Sequence, residues 1–337
     1  MCPTDFSDCA ASAFAESVRL ARWFGAKITL LHVIPPAVPT SVDMGYLPAP
    51  AGIGEAVRKE KLEELQRFVA ANDHHGIAVE TLCREGDAAR EIRAAVRDTG
   101  ADLIVMGTHG RSGLGRLVLG SVTEAMLTDS PVPVLTVHRD FAGGKGLFRQ
   151  ILCAADASEW SAGTIAFAIE IAAEDALHLT VLNVIEDLPE TRAWAQGHYA
   201  MREVESLHED LERAAVAELQ KLIPDEARVS CRLEEHVRFG RPDREIQRVA
   251  AEEGADLIVM GTHGRGALDR ALFGSTLRRV VRAATCPVAV FPAGYLWPAT
   301  ALVRQHAAEP IGAYRATAME GGQLTATWER LPGPYTL

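Results

Sequence analysis

Apolar and polar positions along this chain switch repeatedly between a strand-like and a helix-like period. Ile28 to Ile34 (ITLLHVI) is a continuous apolar, β-branched run and reads as a buried parallel strand. Ahead of it, Phe14, Val18 and Ala21 fall on one helical face. Ser7 or Asp8 stands ready to cap that helix and Gly25 to end it near Phe24. The five prolines of residues 35–50 make that stretch a loop or flap. Val57, Leu62, Leu65 and Val69 then mark a helix over Glu55 to His74, and Ile77 to Cys83 alternates as a strand. Gly86-Asp87 turns into a helix carrying Ile92 and Val96. A strand over 102–106, a helix from Ser121 to about Asp129 and a strand from Val132 to Val137 follow. With Met1 to Asp5 as the clipped end of an opening strand, the order is βαβαβαβαβ, with crossovers long enough for parallel pairing.

The same pattern then restarts. Strands are expected at 151–155, 178–185, 229–237, 256–260 and 288–291, and helices at 161–174, 200–222, 243–252 and 275–284. Residues 101–121 read ADLIVMGTHGRSGLGRLVLGS and residues 255–275 read ADLIVMGTHGRGALDRALFGS; their first eleven residues are identical and 154 positions apart. Asp5 aligns with Asp156 at an offset of 151, and Arg90-Glu91-Ile92 with Arg244-Glu245-Ile246 at 154, a difference that one small insertion explains. The expected organisation is a tandem duplication: domain 1 over 1–138, a glycine-containing linker over 139–149, domain 2 over 150–291, and a C-terminal extension over 292–337. In that extension Tyr314–Met319 and Gln323–Arg330 flank Glu320-Gly321-Gly322, the pattern of a β-hairpin.

Composition narrows the partners. A net charge of −11 argues against nucleic-acid binding through a general basic field. No apolar run approaches the ~20 residues needed to span a bilayer, and MCPTDFSDCA lacks the regions of a secretory signal, so no membrane association and a reducing cytoplasm are expected. Cys2, Cys9, Cys83, Cys153, Cys231 and Cys286 are scattered without a C-x-x-C pair, which suits free thiols near the cores.

The repeated stretch carries the candidate chemistry. In an open doubly wound sheet, ligands settle beyond the carboxyl ends of the strands where the strand order reverses. The groups expected there are Asp5 or Asp156 after strand one, Val33 or Val184 ending strand two, and the glycine loop after strand four. Gly107 and Gly110, or Gly261 and Gly264, permit a close backbone approach to a ligand. Gly120-Ser121 or Gly274-Ser275 opens a helix whose N–H groups and dipole favour an anion by roughly 0.3–1 kcal/mol per contact. Arg111, Arg116, Arg265 and Arg270 add positive charge, and the expected ligand is a polyphosphate with an apolar head group. The spacing is neither G-x-x-x-x-G-K-[ST] nor the dinucleotide fingerprint, since Gly110, Gly113 and Gly115 give G-x-x-G-x-G.

A G-x-x-G, nine residues, G-[S/T] pattern at the end of a fourth strand resembles the ATP-binding signature of universal stress proteins. It stands whole at Gly107, Gly110, Gly120-Ser121 and again at Gly261, Gly264, Gly274-Ser275. Pro3-Thr4-Asp5-Phe6-Ser7 is similar to that family's first-strand turn, and Gly86-Asp87 and Phe239-Gly240-Arg241-Pro242 to its third-strand turn; the resemblance covers about residues 1–291. It implies an α/β fold of two tandem, Rossmann-like, doubly wound five-stranded parallel sheets in the order 3-2-1-4-5, with a short extension. It also implies ATP as ligand, with Mg2+ accompanying the nucleotide, and dimers joined through fifth strands, hence intramolecular pairing of the two halves or a homodimer.

Carried over to this sequence, the adenosine end of the first site falls to Pro3, Thr4, Asp5 and Val33. Ribose and phosphates fall to Met106, Gly107, His109, Gly110 and Arg111, with Gly120, Ser121 and Val122 at the helix start. The second set is Ala154, Asp156 and Val184, then Met260, Gly261, His263, Gly264 and Arg265, then Gly274, Ser275 and Thr276. Ala154-Ala155 replaces Pro-Thr, and Asp269 stands where the first half has Gly115. A carboxylate near phosphates is repulsive without a metal or arginine between, so the first half is expected to bind ATP more tightly if its opening strand is intact.

His109 and His263 are expected to shape the loop by hydrogen bonding, and His74-His75 to close a helix beside Gly76. Asp5 and Asp156 suit binding better than catalysis because no nucleophile–base pair is legible beside them. The resulting expectation is an ATP-binding, nucleotide-dependent stress-response or signalling module without a dedicated catalytic residue. The rivals are a slow ATPase or phosphoryl-transfer enzyme and a protein–protein module with degenerate nucleotide sites.

Overall fold

A computed structural model describes residues 1–36, 53–110, 119–139, 141, 148–156, 158, 161–174, 177–186, 201–225, 227–262, 274–293, 295, 314–317 and 327–330. The chain divides into two compact units, 1–143 and 144–337.

The first unit runs β1 (Cys2–Pro3), α1 (Asp8–Phe24), β2 (Ile28–Ile34), α2 (Ile53–Ala71) and β3 (Val79–Glu85). It continues with α3 (Ala88–Thr99), β4 (Ile104–Gly107), α4 (Ser121–Thr128) and β5 (Val134–Val137). β1 pairs parallel with β2, β2 with β3, and β4 with β5. β1 is short yet held on both sides: Cys2 and Pro3 lie opposite Leu30 and Leu31. Towards β4, the Met1 nitrogen donates to the Leu103 carbonyl and the Val105 N–H to the Met1 carbonyl, each at 2.9 Å. The strand order is therefore 3-2-1-4-5, and the short opening strand occupies its central place.

Local chemistry sets the boundaries. Ser7 caps α1 by accepting the Ala10 N–H at 3.2 Å, and left-handed Gly25 ends the helix (φ 62°). Asp87 caps α3 through the Arg90 N–H at 2.9 Å. The inner face of α1, with Ala13, Phe14 and Val18, is buried against the sheet, whose Leu30, Leu31 and Ile104 are fully covered. β3 lies at Val79–Glu85 and not at 77–83. It ends at Glu85, opposite Ile34, because Gly86 follows with φ 144°, a backbone that side chains rarely adopt.

The second unit repeats the plan with β6 (Gln150–Ala154), α5 (Ser161–Glu174), β7 (His178–Ile185), α6 (Met201–Leu222) and a short α7 (Ala227–Ser230). β8 (Arg232–Phe239), α8 (Pro242–Glu253), β9 (Leu257–Gly261), α9 (Ser275–Ala283) and β10 (Val288–Phe291) complete it. Its strands pair in the order β10-β9-β6-β7-β8, all parallel, again 5-4-1-2-3. The expected strand 229–237 is corrected here. Residues 227–230 form α7, closed by the Cys231 N–H on the Ala227 carbonyl at 3.2 Å, and the strand begins at Arg232. β11 (Tyr314–Thr317) and β12 (Thr327–Arg330) pair antiparallel, Tyr314 opposite Arg330. Among the described residues, no helix is long and apolar enough to cross a membrane.

Candidate functional site

In the first unit, the carboxyl ends of β1 and β4 are built as one corner. The Thr4 N–H donates to the Leu31 carbonyl at 2.8 Å, and His32 Nδ1 lies 2.8 Å from the Thr4 carbonyl oxygen, so β2 braces the turn from its own strand end. Phe6 adopts a left-handed φ of 65°, a conformation that costs a non-glycine residue about 1–2 kcal/mol. Two local bonds hold it: the Phe6 N–H on Thr4 Oγ1 at 3.0 Å and the Ser7 N–H on Asp5 Oδ1 at 3.1 Å. The Phe6 ring rests 4.6 Å from that of His32.

The turn aims Asp5 at the loop after β4. A methyl group on Gly110 would lie 2.8 Å from Asp5 Oδ2, and one on Gly107 would lie 2.7 Å from Cys9 Sγ. Both glycines are therefore demanded by close approach, one of a carboxylate and one of α1. Residues 105 positions apart in sequence meet here.

The start of α4 completes the corner. Gly120 occupies the N-cap with φ −63° and ψ 138° and no side-chain cap, and its N–H donates to the Thr108 carbonyl at 2.9 Å. The first bond within the helix is the Glu124 N–H on the Gly120 carbonyl at 2.8 Å, which leaves the N–H groups of Ser121 to Thr123 without an intrahelical partner. Thr123 ties this turn to β4 by donating to the Gly107 carbonyl at 2.8 Å. Beneath it, buried Thr108 Oγ1 lies 2.9 Å from His109 Nδ1 and 3.3 Å from His138 Nδ1. Ser121 is exposed, Val122 and Val33 are half-buried, and Met106 is buried within β4. Pro3 lies within β1.

The described residues of the second unit repeat part of this corner, with changes. The Ala155 N–H donates to the Leu182 carbonyl at 2.9 Å, and Asn183 Nδ2 donates to the Ala155 carbonyl at 2.9 Å, the roles of Thr4 and His32. Asp156 Oδ1 accepts the Ser158 N–H at 3.1 Å and the hydroxyls of Ser158 at 2.6 Å and Ser161 at 2.7 Å. Gly274 is again an N-cap without a side-chain bond (φ −56°, ψ 130°), with exposed Ser275 and half-buried Thr276 after it. Leu277 stands where α4 has Thr123, so the tie to the strand's glycine carbonyl has no counterpart there. Ala154 and Val184 are half-buried at the ends of β6 and β7, Met260 is buried, and Gly261 ends β9. Arg111 and Arg116, and in the second unit His263, Gly264, Arg265, Asp269 and Arg270, lie outside the described residues.

His32, Asn183, Thr108, His138, Ser158 and Ser161 were not among the sequence candidates, though all bond to the two corners. The signal that could have found the first pair is the 151-residue offset, which sets His32 against Asn183. His74 and His75 lie apart from both corners: His74 Nδ1 is 3.1 Å from the Ile77 carbonyl, and His75 Nδ1 is 3.0 Å from Asp73 Oδ2.

Two doubly wound α/β units in tandem, each with a braced first-strand turn and a helix after the fourth strand that starts at an uncapped glycine, define the class. The family model described as the universal stress protein family matches residues 1–138 and 147–292. A universal stress protein of Mycolicibacterium smegmatis is 29% identical over 293 residues, 82% of this chain and 93% of that protein. One of Bacillus subtilis is 35% identical over 139 residues, 40% of this chain and 94% of its own length. The crystal structure of a universal stress protein from Archaeoglobus fulgidus superposes with a TM-score of 0.59 at 26% identity, covering 87% of this chain and 95% of that one. The chain belongs to the universal stress protein family.

Proposed function

We propose that each half binds ATP in its corner and that the chain acts as a nucleotide-dependent stress-response or signalling module. The observation that carries this is the meeting of Asp5 with Gly110 beside the uncapped start of α4. A carboxylate acceptor for nucleoside donors and a row of N–H donors for phosphates then share one crevice. Among the described residues, no group of three or more His, Cys, Asp or Glu could hold a metal by itself. Mg2+ in this reading enters with the phosphates. A cytoplasmic setting suits the six unpaired, buried thiols. The test is mass spectrometry of nucleotide released from the purified chain, followed by a phosphate-release assay with MgATP. The reading expects ATP in the released fraction and no appreciable turnover. Chain that arrives empty and takes up no added ATP would contradict it.

A further inference from the structure

The helices that follow the third and fourth strands carry opposite charge in the two units. Residues 87–99 and 121–129 hold Arg90, Arg93 and Arg97 against Asp87, Glu91, Asp98, Glu124 and Asp129, a net −2. The matching residues 241–253 and 275–283 hold Arg241, Arg244, Arg248, Arg278, Arg279 and Arg282 against Asp243, Glu245, Glu252 and Glu253, a net +2. The reversal is sharpest on α9, where Arg278, Arg279 and Arg282 stand in the places of Glu124, Ala125 and Thr128 of α4. The chain that carries this positive face has a total charge of −11.

Packing turns the arginines outward and takes up the acids. Leu277, Val280 and Val281 bury the inner side of α9, which leaves Arg278 and Arg279 exposed and Arg282 half-buried. α8 lies alongside, with Gln247 Nε2 donating to the Arg279 carbonyl at 3.4 Å, and presents exposed Arg244 and Arg248. Asp243 is buried between the guanidinium groups of Arg241 at 3.2 Å and Arg279 at 3.4 Å. Glu253 turns to the sheet, where Oε2 accepts the Thr180 hydroxyl at 2.6 Å and the Gln150 amide at 3.1 Å. Glu245 and Glu252 both pair with Arg248. Among the described residues, Arg244 and Arg282 have no ion-pair partner. Structural duties cover part of the set, since Arg279 serves Asp243 and Arg282 suits the negative end of the α9 dipole. The fold does not require the rest, because α4 forms the same helix with no arginine at all.

Guanidinium groups grip carboxylates and phosphates through paired N–H donors. The patch spans two short helices, Glu245 and Glu252 stand among its arginines, and the rest of the chain is acidic. A long polyanion such as a nucleic acid would run off the patch and meet repulsion, whereas a short acidic segment matches its extent. We propose that the arginine face of α8 and α9 docks an acidic segment of a partner protein. This goes beyond the nucleotide reading and does not rest on it.

The test is fluorescence anisotropy of a fluorescein-labelled peptide of alternating Glu and Ala, titrated with the full chain at low salt. The wild type binds the peptide, and added salt weakens the complex as it screens exposed pairs. Arg244→Glu combined with Arg282→Glu removes no intrachain ion pair and weakens binding at least about tenfold. Where that reversal lowers the melting temperature below the assay, Arg244→Gln with Arg282→Gln carries the test, with roughly threefold weakening. Arg90→Glu, the matching change in the first unit, leaves binding as it is. A folded double variant with wild-type affinity overturns the inference, and so does equal weakening by Arg90→Glu. No binding by the wild type, or preference for a single-stranded oligonucleotide over the peptide, overturns it as well. MgATP titration of the double variant separates the two readings. Retained nucleotide uptake with weakened peptide binding is the expected result, and lost uptake with retained peptide binding would assign the arginines to the nucleotide instead.

Discussion

Replacing Gly120 with aspartate separates binding from folding at the first site. The N-cap backbone there is extended, with φ −63° and ψ 138°, which any residue adopts. A new Cβ would meet the Thr108 carbonyl at 3.4 Å and Thr123 Oγ1 at 3.6 Å, at or close to ordinary contact. Aspartate is among the preferred N-cap residues, so the apo protein gains a few tenths of a kcal/mol or stays level. Binding suffers on two counts. A carboxylate about 4 Å from a phosphate opposes it by about 4 kcal/mol at an effective dielectric near 20, of which solvent and salt leave roughly half. The side chain also claims an N–H of the first turn, worth about 1 kcal/mol. The sum, about 3 kcal/mol, corresponds to roughly 150-fold in Kd. Calorimetry with MgATP should show one of two sites lost from the working range, and thermal melting without nucleotide should show no loss of stability. A variant that melts like the wild type and still titrates with two unaltered sites would refute the reasoning.

Further outcomes follow from the same geometry. Gly110→Ala puts a methyl group 2.8 Å from Asp5 Oδ2; displacing that carboxylate should weaken the first site about tenfold, a lost hydrogen bond, and leave the second untouched in the same titration. Phe14, fully buried and in edge contact with Phe68 at 5.6 Å, should cost about 3–5 kcal/mol on truncation to alanine, read by urea unfolding. Burial pushes the Cys153 thiol up to about 12. Its unfolded form loses the proton near pH 8.5–9, so the stability it contributes is complete below that range and is lost as pH rises towards 12, by at most about 1.4 kcal/mol per pH unit. Cys153→Ala should therefore flatten the fall of stability between about pH 9 and 10.5, whatever its baseline cost, and an unchanged slope would refute this.

The tandem fold was legible because buried parallel strands are continuous apolar runs and helix ends carry caps. Ser7, Gly25 and Asp87 stand where the sequence pattern sets them, and the offsets of 151 and 154 pair the units element by element. The expected strand over 229–237 begins too early, because Val229 is 91% exposed and belongs to α7. Charged Arg84 and Glu85 belong to β3 because they pair with Val33 and Ile34, a register that hydropathy does not record. At the site, glycine spacing announced the loop, and the rule of strand reversal brought Asp5 towards it. The braces from His32 and Asn183 and the latch of Ser161 onto Asp156 had no motif to announce them. The two braces join residues 28 apart that the folded sheet brings together, and the latch is a local contact of residues five apart.

The central claim is that each half offers one phosphate-holding helix start. Equilibrium dialysis of the intact chain with MgATP tests it most directly. The account predicts two nucleotides per chain, one after either Gly120→Asp or Gly274→Asp, and none after both. Uptake that survives the double substitution, or no uptake by the wild type, would contradict it.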